Sequence, residues 1–256
     1  MDFGRLNVAL LVFLRVSGLV MSSPLFGRKN LPNLAKIGFC AALTYLFFVE
    51  SVPVEQTFVY DNVLVLILLC LKELMFGMVL GYISYLFINL TFTGGQLIDM
   101  QMGFGMVSVL DVQSNISVPV TGNILNIATL LAFFGVNGHH RLIQIVYSTI
   151  KLVPVGSVNI SPNIAVSAME VFSTSFLLAV NVALPIIAAG LMTELALGVI
   201  IRSVPQINVF SIGYPIKILV GLFMLMLMIP IFGAFTSTIF DQMFVGLEKM
   251  FSAMVG

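Results

Sequence analysis

Two apolar stretches in this chain are longer than a membrane crossing requires, one from Asn62 past Leu90 and the other from Asn163 to about Arg202. A helix needs about 20 mostly apolar residues to cross a hydrocarbon core of roughly 30 Å. At about 1.5 Å per residue, a helix of about 35 residues extends roughly 50 Å. Tilt absorbs part of that excess, and a long helical hairpin held inside a protein assembly absorbs it better. The charged fraction points the same way: 9% of the 256 residues, against about 25% in ordinary soluble domains. With a mean hydropathy of +1.12, the chain reads as a polytopic, all-α membrane protein.

The remaining spans follow from hydropathy. Leu6 to Met21 forms the first, with Arg15 inside it, and Leu34 to Val49 the second. The run beginning near Asn62 is the third and carries Lys72 and Glu73. Val118 to Val136 is the fourth, Asn163 to Arg202 the fifth, and Pro215 to about Phe240 the sixth. Arg141 to Val153 reads as a shorter amphipathic helix between the fourth and fifth. Pro185 and Pro230 are expected to kink the spans that contain them. The N-terminal segment superficially resembles a signal peptide. Arg15 interrupts its apolar run and it has no small-residue cleavage site, so it reads as a retained helix.

Charge bias gives only a partial topology. Arg28, Lys29 and Lys36 mark one loop as cytoplasmic, while the loop holding Glu50, Glu55 and Asp61 has no base and reads as external. Further along, Arg141 and Lys151 fall on the side assigned as external, and Asp99 and Asp111 on the internal side. The rule orients chains that sit conventionally in lipid, and its failure here suggests a different setting. Arg15, Lys72, Glu73, Glu170 and Glu194 all lie inside apolar runs. Each would cost a few kcal/mol if it faced hydrocarbon. Pairing between helices or subunits accounts for them most simply; an ion relay is the alternative. Lys72 and Glu73 are adjacent and point about 100° apart on a helix, so each needs a partner elsewhere.

Other signals exclude function classes. The net charge of zero offers no field for nucleic acid. Cys40 and Cys70 lie in apolar runs and read as small packing residues. His139 and His140 are adjacent with no carboxylate or cysteine near in sequence, which reads as an interfacial turn, not a metal site. No hydrolase, zinc-protease or nucleotide-binding motif occurs, and Ser108 has no evident base. No catalytic residue and no cofactor is expected. The methionine-rich run Leu222 to Pro230 reads as adaptable packing.

One loop resists the bland reading. "DMQMGFGMVSVLDVQSN", Asp99 to Asn115, is apolar yet too short to cross. Gly94-Gly95, with Gly103 and Gly105, would let the third helix break and reverse. Irregular backbone at membrane depth survives only inside protein or beside a water-filled cavity. The loop is therefore either packed in an assembly or lines a conduit.

Three stretches together resemble the family of flagellar FliR proteins and their type III secretion counterparts, SctT. They are "FLRVSGLVMSSPLFGRKNLPNLAKIG" (Phe13 to Gly38), "GGQLIDMQMGFGMVSVLDVQSNISVPV" (Gly94 to Val120) followed by "GHH" at 138–140, and "ELALGVIIRSVPQINVFSIGYPIK" (Glu194 to Lys217). Order and spacing match across essentially the whole chain. The resemblance implies a FliP-like part over about 1–160 and a FliQ-like helical hairpin over about 161–256. It implies a non-enzymatic core subunit of the flagellar export gate in the inner membrane, within the basal body. FliP and FliQ would be its partners in the gate, FlhB and FlhA would associate with it, and unfolded flagellar proteins would pass through the centre.

The family's plug loop falls on Gly103 to about Val120. Met102, Phe104, Met106 and Leu110 would form the apolar obstruction, and Gly103 and Gly105 would let it refold. A hydrophobic constriction also blocks ions by dewetting. The turn from Arg202 to Asn208, including Gln206, would lie at the entrance or against partners. Lys217 joins Arg15, Lys72, Glu73, Glu170, Glu194 and Arg202 as a subunit contact or buried charge. Two other classes remain beside this reading: a small secondary transporter coupling through Glu73, Glu170 or Glu194, and, further down, an intramembrane hydrolase. Injectisome use is a variant of the first reading.

Overall fold

A computed structural model describes residues 3–27, 31–51, 63–104, 119–158, 163–204 and 209–255. These residues form seven helices: α1 (Phe3–Ser22), α2 (Asn33–Ser51), α3 (Val63–Met102), α4 (Val120–Gly135), α5 (Gly138–Leu152), α6 (Asn163–Ser203) and α7 (Val209–Val255). No strand occurs among the described residues. Five of the helices, α1, α2, α3, α6 and α7, are long and apolar enough to cross a membrane. The chain is an all-α membrane protein.

The expected spans match these helices except the fourth, Val118 to Val136, where α4 has only 16 residues and is not among the five; several other helices run further than hydropathy indicates. The third continues to Met102 and the last to Val255, giving 40 and 47 residues. At about 1.5 Å per residue they extend roughly 60 and 70 Å, about twice the hydrocarbon thickness. Beyond Phe240, Asp241, Glu248 and Lys249 lower the hydropathy without breaking helical periodicity. Met243, Leu247, Met250 and Met254 are all buried, at the spacing of one helix face. Helical assignment runs unbroken through Pro185, Pro215 and Pro230.

Contacts divide the chain into two units that do not follow sequence order. The first comprises Met1–Phe87, Val136–Phe172 and Asp241–Gly256. In it, glycines let α1 and α3 touch backbone to backbone. A Cβ on Gly77 would sit 2.0 Å from the Arg15 carbonyl oxygen, and one on Gly18 2.4 Å from that of Leu74. Small residues at crossings are how membrane helices gain close packing where lipid removes the hydrophobic drive. Ser22 Oγ reinforces this crossing by donating to the Met78 carbonyl at 3.0 Å. Val8, Leu11, Val12, Phe76 and Leu80 are almost completely buried around it.

The second unit comprises Ile88–Gly135 and Ser173–Phe240. Here the end of α3 and all of α4 form an antiparallel pair tied by polar side chains. Thr129 Oγ1 donates to Thr91 Oγ1 at 3.1 Å, and both residues are fully buried. Asn126 Nδ2 donates to the Ile88 carbonyl at 3.1 Å and to Asn89 Oδ1 at 3.2 Å. Phe133 meets Phe240 edge-on with ring centres 5.3 Å apart.

The expectation that Gly94-Gly95 would break α3 is not met. Both glycines are helical, and they serve contact instead of reversal. A Cβ on Gly95 would lie 2.3 Å from Gly122 Cα, and one on Gly94 2.7 Å from the Ala179 carbonyl. The helix ends instead at Met102, followed by Gly103, whose φ of 84° is the left-handed conformation that glycine adopts without strain.

Candidate functional site

The C-terminal end of α3 is the point where the second unit's helices converge on the sequence singled out above. Four near-consecutive residues engage three neighbouring helices. Asp99 faces α4, Gln101 faces α6, and Met102 and Gly103 face α7.

Asp99 is buried, with 6% exposure. Its carboxylate accepts from Thr121 N, at 3.2 Å to Oδ1 and 3.1 Å to Oδ2, and from Gly122 N at 3.4 Å. The first backbone N–H groups of any helix lack intrahelical partners. They are ordinarily capped by a preceding Ser, Thr, Asp or Asn. Before α4 that place is held by Pro119, whose carbonyl accepts from Asn123 N at 3.2 Å but whose ring offers no acceptor. Asp99 supplies the cap from another helix, and its charge also complements the positive end of the α4 dipole. Its own backbone carbonyl accepts from Phe104 N at 3.0 Å, closing the last turn of α3. One residue thus holds both ends that residues 105–118 must join.

Around it, Gln101 lies against Gly190, where a Cβ would meet its Cγ at 2.6 Å. Gln101 Nε2 donates to Glu194 Oε1 at 3.4 Å, and Lys217 Nζ donates to the same oxygen at 2.6 Å. Met102 is 2% exposed, seated on Gly221. Tyr214 covers Gly103. Phe104 is half-buried beside an apolar cleft of about 260 Å³ whose walls include Ile124, Ala128, Leu222 and Phe232.

Of the five charges inside apolar runs, Arg15, Glu73, Glu170 and Glu194 are paired, and only Arg15 and Glu73 are buried. Arg15 and Glu73, both with fully buried side chains, join through Nε to Oε2 at 2.6 Å and Nη2 to Oε1 at 3.1 Å. Arg15 Nη1 also donates to the carbonyls of Thr149 and Val153 at 3.0 and 3.3 Å, and Gly156 N donates to Glu73 Oε1 at 2.7 Å. The guanidinium lies 4.7 Å from the centre of the Phe76 ring. The pair therefore ties α1, α3 and the turn after α5 together. Its oxygens and nitrogens are engaged, as a buried ion pair requires. Lys249 Nζ pairs with Glu170 Oε2, both about half exposed, and Lys217 pairs with Glu194. Lys72 is half-buried and Arg202 exposed, and neither takes part in an ion pair among the described residues.

Gly105, Met106, Leu110, Asp111, Gln206 and Asn208 lie outside the described residues. His139 and His140 sit with ring centres 4.2 Å apart at the start of α5, just after the left-handed Asn137. No group of three metal-ligating side chains occurs among the described residues.

Sequence reasoning noted Asp99 only as the start of the loop and as a charge on the side assigned as internal. The signal that could have raised it is the missing cap: the segment leading into α4 offers Pro119 where a capping acceptor belongs. Lys249 went unmarked because hydropathy ends the last span at Phe240.

The sequence model of the family described as Bacterial export proteins, family 1, matches residues 6–243. The chain belongs to this family. Among similar proteins, the flagellar biosynthetic protein FliR of Bacillus subtilis is 32% identical over 237 residues, covering 91% of this chain and 90% of that protein. FliR of Escherichia coli is 27% identical over 249 residues, covering 97% and 94%, and FliR of Aquifex aeolicus is 29% identical over 241, covering 92% and 90%. The family match reaches into both units and includes the α3–α4 clamp and the Arg15–Glu73 pair.

Proposed function

We propose that this export-family protein is a core subunit of the flagellar type III export gate, forming with FliP and FliQ homologues the channel through which unfolded flagellar proteins leave the cell. The observation that carries this reading is likeness over nearly the full length to proteins named FliR. The structure supports it in two ways. Three helices of 40, 41 and 47 residues exceed a bilayer's thickness, which suits a subunit enclosed by others. Exposed apolar side chains such as Leu195, Met226 and Ile229 leave surface for such neighbours or for lipid.

On this reading the FliP-like part ends near residue 160, and α6 and α7 make up the FliQ-like hairpin. FlhB and FlhA are further partners, the inner membrane and basal body are its location, and it is not an enzyme. Residues from Gly103 to about Val120 plug the closed pore. Met102, buried in the chain itself, serves as the footing, while Phe104, Met106 and Leu110 supply the obstruction and Gly103 and Gly105 the freedom to move. Glu73, Glu170 and Glu194, on which a transporter reading would rest, each face a basic partner, so no structural observation favours that alternative.

Co-purification with FliP and FliQ homologues tests the assignment. A stable, monodisperse complex is expected, and a protein with no affinity for either partner refutes it. Deleting Gly103 to Leu110 tests the plug: the assembled gate should conduct small ions, and unchanged conductance counts against it.

A further inference from the structure

A cleft of about 770 Å³ opens within the first unit, walled by the end of α1, the middle of α3, the start of α6 and the last turns of α7. Ile83, Val171 and Met250, all buried, form its floor. Met21, Tyr82, Met169 and Phe172, all exposed, form its rim. We propose that this cleft binds an acyl chain of an anionic phospholipid, with the phosphate at its mouth drawn by Lys36 and the N-terminus of α6.

Three observations carry the proposal. The first is size. The volume lies in the range of sites that enclose small ligands. The cleft follows α3 from Met78 to Leu86 and α6 from Ile164 to Phe172, about 12 Å along each at about 1.5 Å per residue. That is a short seat for a partner helix, little more than two of its turns. The second is lining. Ser22 and Tyr82 carry the polar side chains of the wall, and the Ser22 hydroxyl already donates to the carbonyls of Gly18 and Met78. Met21, Met78, Met169 and Met250 are unbranched and adapt to a flexible chain.

The third is charge at one end. Gly27 lies so close to the end of α1 that a Cβ there would meet the Met21 carbonyl oxygen at 2.5 Å. The Gly27 carbonyl accepts from Lys36 Nζ at 3.2 Å, which anchors the ammonium beside the Met21 rim. That partner is neutral, and Lys36 joins no ion pair among the described residues. Its full charge outweighs the roughly −0.5 at the C-terminus of α1, and the N-terminus of α6 adds roughly +0.5. Ile164 and Ala165, in the first turn of α6, line the cleft, and that turn holds no acidic residue. Glu170, one turn on, is paired with Lys249. An apolar cleft with net positive charge at its mouth fits an amphiphile with an anionic head. A zwitterionic head gains less, because its ammonium meets the same positive end.

The chain contains no tryptophan, so a single introduced indole reports on its own surroundings. The test reconstitutes the full chain in bilayers mixing phosphatidylcholine and phosphatidylglycerol, with one or the other brominated on its acyl chains, and reads fluorescence quenching. Phe172→Trp and Tyr82→Trp each place the probe in the cleft. Phe223→Trp places it on the exposed face of α7, outside the cleft. Both cleft probes should show about a five-fold preference for phosphatidylglycerol, the equivalent of about 1 kcal/mol for one lysine. The Phe223→Trp probe should show none. Lys36→Gln should bring the cleft preference close to one, and Lys36→Arg should keep it. Ala168→Leu, which fills part of the cleft from an exposed position, should weaken quenching by both lipids at the cleft probes alone.

Equal quenching by the two lipids at both cleft probes is what an unoccupied seat for a partner helix gives, and it overturns the proposal. Absence of quenching there, with Phe223→Trp quenched normally, shows that no acyl chain enters and overturns it as well. A preference untouched by Lys36→Gln removes the assigned headgroup contact. If inorganic phosphate added alone abolishes the preference, the mouth is a site for a free anion and the lipid assignment fails.

Discussion

Replacing Arg15 with Leu would leave Glu73 as a fully buried carboxylate whose remaining partner is Gly156 N. Two charge-assisted hydrogen bonds disappear, together with the donor to Thr149 and Val153. Truncating one member of a buried ion pair costs about 3–5 kcal/mol, because the other charge stays desolvated. Glu73→Leu should cost about as much, for the converse reason. The double variant removes both charges. Its remaining loss is the orphaned Gly156 N–H and the weakened capping of Val153, each about 1–3 kcal/mol. Thr149 O keeps the Val153 N–H at 3.0 Å and is not orphaned. The double variant should therefore be less damaging than the two singles added together, with a coupling of about 3 kcal/mol.

The assay is thermal unfolding of the detergent-purified protein, alone and in complex. At about 2–4 °C per kcal/mol for a chain of this size, each single variant should lower the apparent melting temperature by roughly 10 °C. The double should recover part of that loss. Additive effects, with coupling under about 1 kcal/mol, would show that the two side chains do not depend on each other and would refute the pairing.

Four further outcomes follow from local geometry. Gly95→Ala should destabilise by about 1–3 kcal/mol, since its Cβ would press on Gly122 Cα. Gly38→Ala, in a helix position with nothing within 4 Å of a new Cβ, should be neutral or stabilise by up to about 1 kcal/mol; melting temperatures of the two variants compare these directly. Gly103→Ala should cost about 1–2 kcal/mol from the left-handed φ, more as Tyr214 is displaced, and circular dichroism melts would read it. Glu194→Ala should shift stability by less than about 1 kcal/mol, because the Lys217–Glu194 pair is partly solvated, with 21% and 43% side-chain exposure. A larger loss for Glu194→Ala seen only in the assembled gate would mark that pair as a subunit contact.

The sequence by itself determined that the protein is all-α and membrane-embedded, because hydropathy and helical periodicity are local properties that any 20-residue window carries. It located every helix core and showed that Arg15, Glu73, Glu170 and Glu194 needed partners. Who those partners are was decided only in three dimensions. Arg15 and Glu73 are 58 residues apart, and Lys249 and Glu170 are 79 apart. No periodicity encodes such distances. Gly94-Gly95 shows the same limit from the other side. In sequence the pair reads as a helix break, since glycine is free to turn. In the fold it is helical, because the approach of Gly122 and Ala179 rewards the missing side chains more than the backbone loses in freedom. Asp99 is the sharpest case. As a letter it marks where an apolar loop becomes polar; in the structure it caps a helix that begins 21 positions later with Val120. A capping acceptor is recognised by where it points, and only packing α3 against α4 brings that carboxylate to those amides.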